Sequence, residues 1–371
     1  MNVLKSLSEY ALANHGHGML FIFWLIFTFL FLAACFLILT LLSRISKISD
    51  VKKEIKLKSI YEVLILDVME EEHGKVKSIE NRSFQKEHLS TRFQKQLLVN
   101  ELVAVHKGLD GALAERIRQL FKMLELDQFC LQKLNSGRWE VKASAINEIR
   151  EMQISEAIPL IEKLVFDKEF LVRGNAQLAL LELKEERDSI GFLAGLGYAL
   201  SDWEQLRLHE SLKARGETKH DSFQLLFDAK HPSVIIFGVR MSSYFGCIQD
   251  IPALTQLSKH PNEEIRYQSI KALRNLGDFE AESDLEKRFE SETIKVKTAI
   301  LEYLQGTGYN SLQLFLDALT SKDHQLSLMA AFGLKRGYDP SFLEPLLKGL
   351  QLSEAVHLCL KHAEDPRLPA P

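Results

Sequence analysis

Hydrophobic and polar positions divide the chain into one uninterrupted apolar run and a long, regularly punctuated remainder. Residues Met19 to Leu42 read MLFIFWLIFTFLFLAACFLILTLL, with no charge and two threonines in 24 residues. As a helix this run rises about 36 Å, enough to cross a hydrocarbon core of about 30 Å with some tilt. A helix that is apolar all round needs lipid or a large core around it. A single transmembrane helix is therefore predicted over 18–43, after a short segment at 1–17.

Residues 44–130 read as a juxtamembrane helical linker followed by capping helices. No Pro or Gly interrupts SRISKISDVKKEIKLKSIYEVLILDVMEEEH before Gly74, which predicts a helix leaving the span; the polar stretch 74–83 reads as a loop. Leu89, Phe93, Leu97, Leu98, Leu102 and Val105 then recur at helical spacing. A break at Gly108-Leu109-Asp110-Gly111 separates them from a second stripe, Leu113, Ile117, Leu120, Phe121 and Leu124. Two antiparallel helices are expected there.

From about residue 131 to 371 the pattern repeats. An apolar-basic pair with a small residue four places after the apolar one occurs as Val141-Lys142 with Ala145. It returns 31 residues later as Val172-Arg173 with Ala176, and 93 residues after that as Ile265-Arg266 with Ser269. Leu206-Arg207 falls between, and Leu326 with Ala330 continues the series with Ser327 in the basic place. A second marker agrees: Pro159, Pro252 and Pro345 stand 93 apart, three periods of 31. Each unit holds two short helical patterns joined by a turn, for instance IPLIEKLVFD and EFLVRGNAQLALLELK. Proline is tolerated in the first turn of a helix, where its missing N–H costs nothing. A pair of helices of about 30 residues cannot bury its apolar face alone, so the pairs must stack.

The segments SGRWEVKASAINEI, FLVRGNAQLALLEL and PNEEIRYQSIKALRNLG resemble HEAT repeats of the short-period, phycobilisome-lyase type. That resemblance implies an all-α fold, a single transmembrane helix followed by an α-α superhelix, or HEAT-like solenoid. Seven helix pairs are expected from about 126 to 338, with a degenerate end from about 341 to 365. The units at 220–247 and 281–308 match poorly. In HEAT-like units the repeated basic residue pairs with an acidic or polar residue in the preceding turn. The resemblance thus implies a structural ladder in which Asp167 serves Arg173, Asp202 serves Arg207, and Arg266 takes the same place. The whole arrangement is similar to bacterial membrane-anchored HEAT-repeat proteins, some associated with envelope glycosyltransferase or exopolysaccharide systems. Short-period units also occur in phycobilisome lyases, but no pigment-linked motif is present here.

Charge adds direction. Residues 1–17 hold Lys5 against Glu9, whereas 44–58 hold six basic residues against two acidic ones. The positive-inside rule places the second flank and all that follows in the cytoplasm, with the span in the inner membrane. The net charge of −4 then splits into +4 at this flank and −8 over residues 59–371. An acidic body lacks the basic face that nucleic acid requires, so no nucleic acid partner is expected. Two alternatives concern the same segment. A cleaved signal peptide wants a shorter apolar core and a basic leading flank. Leu32-Ala33-Ala34-Cys35 looks like a lipobox, which would make a periplasmic lipoprotein scaffold through Cys35, although the apolar run continues to Leu42.

Candidate chemistry is sparse. Cys35, Cys130, Cys247 and Cys359 form no CxxC pair. No HExxH, GxSxG, P-loop or GxGxxG is present. Gly191, Gly195 and Gly197 lack the lysine and strand of a phosphate loop and read as places of close helix packing. His15 and His17 are adjacent enough for weak metal binding. No catalytic residue, cofactor, metal site or small-molecule substrate is therefore expected, and the reading is of a chain that is not an enzyme. It is expected to be a membrane-tethered scaffold for protein partners, with the alternative of a catalytic subunit lacking a recognisable motif. Polar positions of the second helices, Gln177, His209, Gln268 and Lys271, are the candidate partner contacts. Trp24, Trp139 and Trp203 read as core or interface anchors.

Overall fold

The computed structural model describes residues 2–70, 82–184, 189–214, 222–307, 311–350, 352–365 and 367. All regular elements among them are helical. The chain divides into two compact units, Met1–Gln132 and Lys133–Pro371.

In the first unit, helix α1 (Asn2–Glu70) runs without a break, so the short segment expected before the span belongs to the same helix. Within it Phe21–Leu41 has a mean hydropathy of 2.8 and no buried residue; it is long and apolar enough to cross a membrane. Beyond the basic flank the same helix turns amphipathic. Tyr61, Leu64, Ile65 and Val68 stand at i, i+3, i+4 and i+7 and are all buried. They pack against α3 (Arg92–His106) and α4 (Gly111–Met123), the two predicted helices; α2 (Arg82–His88) precedes them. Tyr61 donates to the His88 carbonyl at 2.8 Å, and burial pushes its phenol up to about 12. Helix α3 begins with a capping box, in which Thr91 Oγ1 accepts from Gln94 N at 3.2 Å and Gln94 Oε1 accepts from Thr91 N at 3.0 Å. The predicted break is a sharp one, with Gly111 at φ 63°. Most of the polar stretch 74–83 lies outside the described residues.

Helix α5 (Leu126–Leu134) leads to the second unit, an α-α superhelix. Its repeating core is a series of second helices: α6 (Trp139–Glu151), α8 (Phe170–Leu183), α10 (Asp202–Ala214), α11 (Pro232–Phe245), α13 (Glu263–Leu276), α15 (Ile294–Thr307), α17 (His324–Gly337) and α19 (Glu354–Glu364). Their first residues follow one another at intervals of 30 to 32. The small residue of the sequence pattern is the reason they can stack: Ala145, Ala176, Ser269 and Ala330 are all fully buried. First helices are shorter: α7 (Ile158–Leu164), α9 (Gly191–Ala194), α12 (Ile251–Leu257), α14 (Glu282–Arg288), α16 (Leu312–Leu319) and α18 (Pro340–Gly349).

Three details differ from the sequence reading. The poorly matching unit at 220–247 has lost its first helix to a single 3-10 turn, Gln224–Leu226. That turn presses onto α11 at Gly238, where a Cβ would stand 2.8 Å from the Cβ of Leu226. The end at 341–365 is a further helix pair, α18 with α19. Pro345 is also not the third copy of its marker. Pro159 and Pro252 sit in the first turns of α7 and α12, but Pro345 lies inside α18, and Pro340 occupies the first turn there.

Candidate interaction surface

The repeated basic residues make contacts of more than one kind, and only Arg173 and Arg266 share a pattern. Arg173 Nη1 donates to the backbone carbonyls of Asp167 and Lys168, both at 3.1 Å. Arg266, 93 residues later, donates from the same atom to the carbonyls of His260 and Pro261, both at 3.0 Å. Each arginine thus satisfies the open end of the preceding turn through main chain. The Asp167 carboxylate instead takes Lys142 Nζ, one unit back, at 2.8 Å. Burial alone would raise that carboxyl, but the Lys142 ammonium and the Glu169 N–H outweigh it and hold it below the usual carboxylate range. Arg266 reaches forward as well, to Glu292 at 2.9 Å. Arg207 does not use Asp202, which is exposed at the start of α10. It donates to Asn175 Oδ1 at 3.0 Å, and Asn175 donates in turn to the Ala143 carbonyl at 3.4 Å, so one chain of bonds ties α10, α8 and α6. Burial, and then the nearby Arg150, lower the Arg207 pKa.

The four candidate partner contacts are not brought together. Gln177 is only 1% exposed. Its amide donates to Tyr198 Oη at 2.9 Å and Glu204 Oε1 at 3.3 Å, so it braces two units from inside. A periodic polar position on a second helix can face a neighbouring helix, and in this crowded stretch of α8 it does. His209 is half-buried, edge-on to the Tyr244 ring with centroids 4.5 Å apart. Gln268 donates to Glu264 at 2.9 Å on its own helix, and Lys271 lies over Tyr267. Gly191 and Gly197 have open space where a Cβ would stand, so close helix packing is not their role.

The structure instead exposes aromatic side chains at one recurrent place. Trp139 and Phe170 are the first residues of α6 and α8, and Trp203 is the second residue of α10. They are 40%, 58% and 60% exposed. Helices α6 and α8, and α8 and α10, pack against each other, so the three residues stand in the first turns of neighbouring helices. Phe166, also exposed, ends the turn before α8. Tryptophan and phenylalanine at solvent-facing helix starts contribute less to a core and are residue types enriched at protein interfaces. Phe170 was legible as the repeat-equivalent of Trp139, one period on; the apolar-basic pattern drew attention to the next two positions instead.

Among the described residues no cluster of three or more His, Cys, Asp or Glu could hold a metal ion. The His15 and His17 side chains lie outside the described residues. Cys35 stands within the apolar stretch of α1. Cys359 Sγ lies 3.5 Å from His324 Nδ1, with the cysteine buried.

No protein-family model matches the chain, and no curated protein matches it. Among solved structures it is similar to a chain of "the complex of CpcE and CpcF of phycocyanin lyase" from Nostoc. The two share 14% identity over 71% of this chain and 94% of that one, with a TM-score of 0.24. The HEAT-like fold itself stands on the helix pairs described above. The expectation that the chain is not an enzyme is corrected here. It rested on missing motifs, which exclude no activity, and a chain from a phycocyanin lyase complex appears among its matches. A superposition this loose extends no activity to this chain either.

Proposed function

We propose that the chain is a membrane-tethered protein-interaction scaffold. Helix α1 holds it at the bilayer through Phe21–Leu41, and the superhelix of the second unit receives a protein partner on the edge marked by Trp139, Phe170 and Trp203. One observation carries the reading: exposed aromatic residues recur in the first turn of the second helix on three successive units. Tethering confines scaffold and partner to one surface, so a modest intrinsic affinity is enough. The basic surplus after the span supports a cytoplasmic body and an inner-membrane location. The likeness of the arrangement to bacterial membrane-anchored HEAT-repeat proteins supports an accessory role beside an envelope polysaccharide or glycosyltransferase system.

Two experiments test this. A photo-crosslinking residue placed at 139, 170 or 203 of the full chain in cells should trap the same protein from all three positions, and a crosslinker at exposed Glu162 should not. Three different adduct patterns, or none, would refute the aromatic edge as a docking site. A reporter fused after Pro371 should be active in its cytoplasmic form; activity on the other side would overturn the topology.

A further inference from the structure

Folding of the first unit gathers basic side chains that are far apart in sequence. Lys52 and Lys53 stand four and three residues before Lys56 on α1, so each neighbours it on the helix surface. Lys53 and Leu57 line a cleft of about 440 Å³ whose other wall is Thr91, Phe93 and Gln94 at the start of α3. A neighbouring cleft of about 380 Å³ includes Thr91, Arg92 and Lys95, and a third, of about 350 Å³, includes Lys86 and Lys95. Lys52, Lys53, Lys56, Lys86, Arg92 and Phe93 are all exposed. Among the described residues none of these five cations has a carboxylate within ion-pair distance, whereas Lys58, one turn along, is paired with both Glu54 and Glu101. A folded unit thus keeps a cationic surface open, with a phenylalanine at its centre.

The position of this surface on α1 says what it faces. Lys53 follows the end of the apolar run by 11 residues, about 16 Å along the helix. The charge-free run is about 36 Å long against a core of about 30 Å, a mismatch relieved by a tilt of about 35°. With that tilt Lys53 stands about 14 Å above the hydrocarbon edge. Helix α3 crosses α1 there, since Tyr61 donates to the Gln94 carbonyl and Lys58 meets Glu101. Its axis is about 8–10 Å to one side, so leaning that side toward the bilayer brings the backbone of Arg92 and Phe93 about 5 Å lower, to about 9 Å above the hydrocarbon edge, from which their side chains reach the headgroups.

We propose that Lys52, Lys53, Lys56, Lys86 and Arg92, around Phe93, form a contact surface for the anionic phospholipid headgroups of the membrane that α1 spans. The proposal rests on the tethered reading and adds a second, composition-sensitive attachment to it. Anionic lipid would fix the tilt of α1 toward α3 and hold the first unit against the surface. Each cation within a Debye length of such a surface shifts occupancy about fivefold toward contact. The aromatic ring suits the boundary between headgroups and acyl chains.

The test uses the full chain in nanodiscs of phosphatidylcholine alone or with one-third phosphatidylglycerol, read by hydrogen exchange. In the anionic discs the amides of Ser90 and Arg92 should exchange several-fold more slowly, and added salt should erase the difference. The double variant Lys53→Glu/Arg92→Glu should abolish it, and Lys53→Arg/Arg92→Lys should retain it, with exchange elsewhere unchanged in both. Equal exchange in the two kinds of disc would overturn the proposal. So would equal protection by inorganic phosphate in phosphatidylcholine discs, which would mark a site for a free anion. A chain that fails to co-elute with either disc refutes the span itself and the surface contact with it; one that co-elutes without differential protection refutes the contact alone.

Discussion

Lys133 and Glu148 form a charge pair inside the second unit, and it gives a quantitative test of the packing described above. The ammonium of Lys133, in the last turn of α5, donates to both carboxylate oxygens of Glu148 on α6, at 2.7 and 2.6 Å. Their side chains are 4% and 6% exposed, and Ser144 Oγ donates to the same carboxylate at 2.8 Å. Lys133→Met leaves a carboxylate in a nearly dry place, and Glu148→Gln leaves an ammonium. Removing one partner of a buried pair costs about 3–5 kcal/mol, because the desolvated charge left behind loses its compensation. Replacing both, as Lys133→Met/Glu148→Leu, removes the desolvation cost along with the attraction. That double variant should fall within about 1 kcal/mol of the parent or exceed it. For a unit of this size 1 kcal/mol corresponds to about 2–4 °C in Tm, so each single variant should melt about 10 °C lower. Melting followed by circular dichroism, with the full double-mutant cycle, measures this. Hydrogen exchange on α5 and α6 should accompany it, since repeat arrays open in parts. Single variants within about 2 °C of the parent, or a double variant as unstable as the worse single, would refute the reasoning.

Other outcomes follow from particular contacts. Gly238→Ala gains helix propensity of about 1 kcal/mol but drives a methyl into Leu226, and overpacking of about 1–3 kcal/mol should win, lowering the Tm. Tyr303→Phe strips the buried Ala281 N–H of its acceptor at 3.2 Å, and should cost about 1–3 kcal/mol in denaturant titration. Burial also raises the Tyr303 phenol well above its ordinary value, so its absorbance should not titrate until the unit unfolds. The Asp167 carboxyl is held below its ordinary value, so its stabilisation is present above about pH 4 and lost as the pH falls through its folded-state pKa. Asp167→Asn should flatten that part of the acid limb in a pH series of melting curves, and an unchanged limb would count against the Lys142 pair. Trp139→Ser and Trp203→Ser, on an exposed edge, should leave the Tm within about 1 °C while weakening partner crosslinking.

The second helices were legible in the sequence because each must place a small residue against its neighbour once per period, which leaves Ala145, Ala176, Ser269 and Ala330 in register. First helices were less so. Reduced to one or two turns, they leave too few apolar positions to show a period, and at Gln224–Leu226 the helix becomes a single turn. Pro345 misled because spacing alone cannot tell a first-turn proline from an interior one. The buried stripe at Tyr61 and Val68 was hidden among charges that occupy the opposite face of the same helix. On the surface, periodicity named polar positions such as Gln177, but whether a polar residue is free depends on what the next helix brings to it, here Tyr198 and Glu204. Exposure of Trp139 and Trp203 could not be read from residue type, since tryptophan suits a core and an interface equally.

The two arginine clamps carry a consequence for how this sequence can change. Arg173 and Arg266 hold their turns by backbone carbonyls, which every residue supplies, so these clamps demand no particular side chain at Lys168 or Pro261, whereas the Asp167 carboxylate is kept for its separate bridge to Lys142. Asp167-Lys168 and His260-Pro261 have nothing in common chemically, yet they are held by the same atom in the same way. Substitutions at Lys168 and Pro261 can therefore accumulate, altering the charge of these turns, while the clamps stay in place. A single Arg→Lys replacement on the helix, conservative by charge, gives up the planar Nη1 group whose two hydrogens meet both carbonyls, and should disturb the repeat more than a substitution at Lys168 or Pro261.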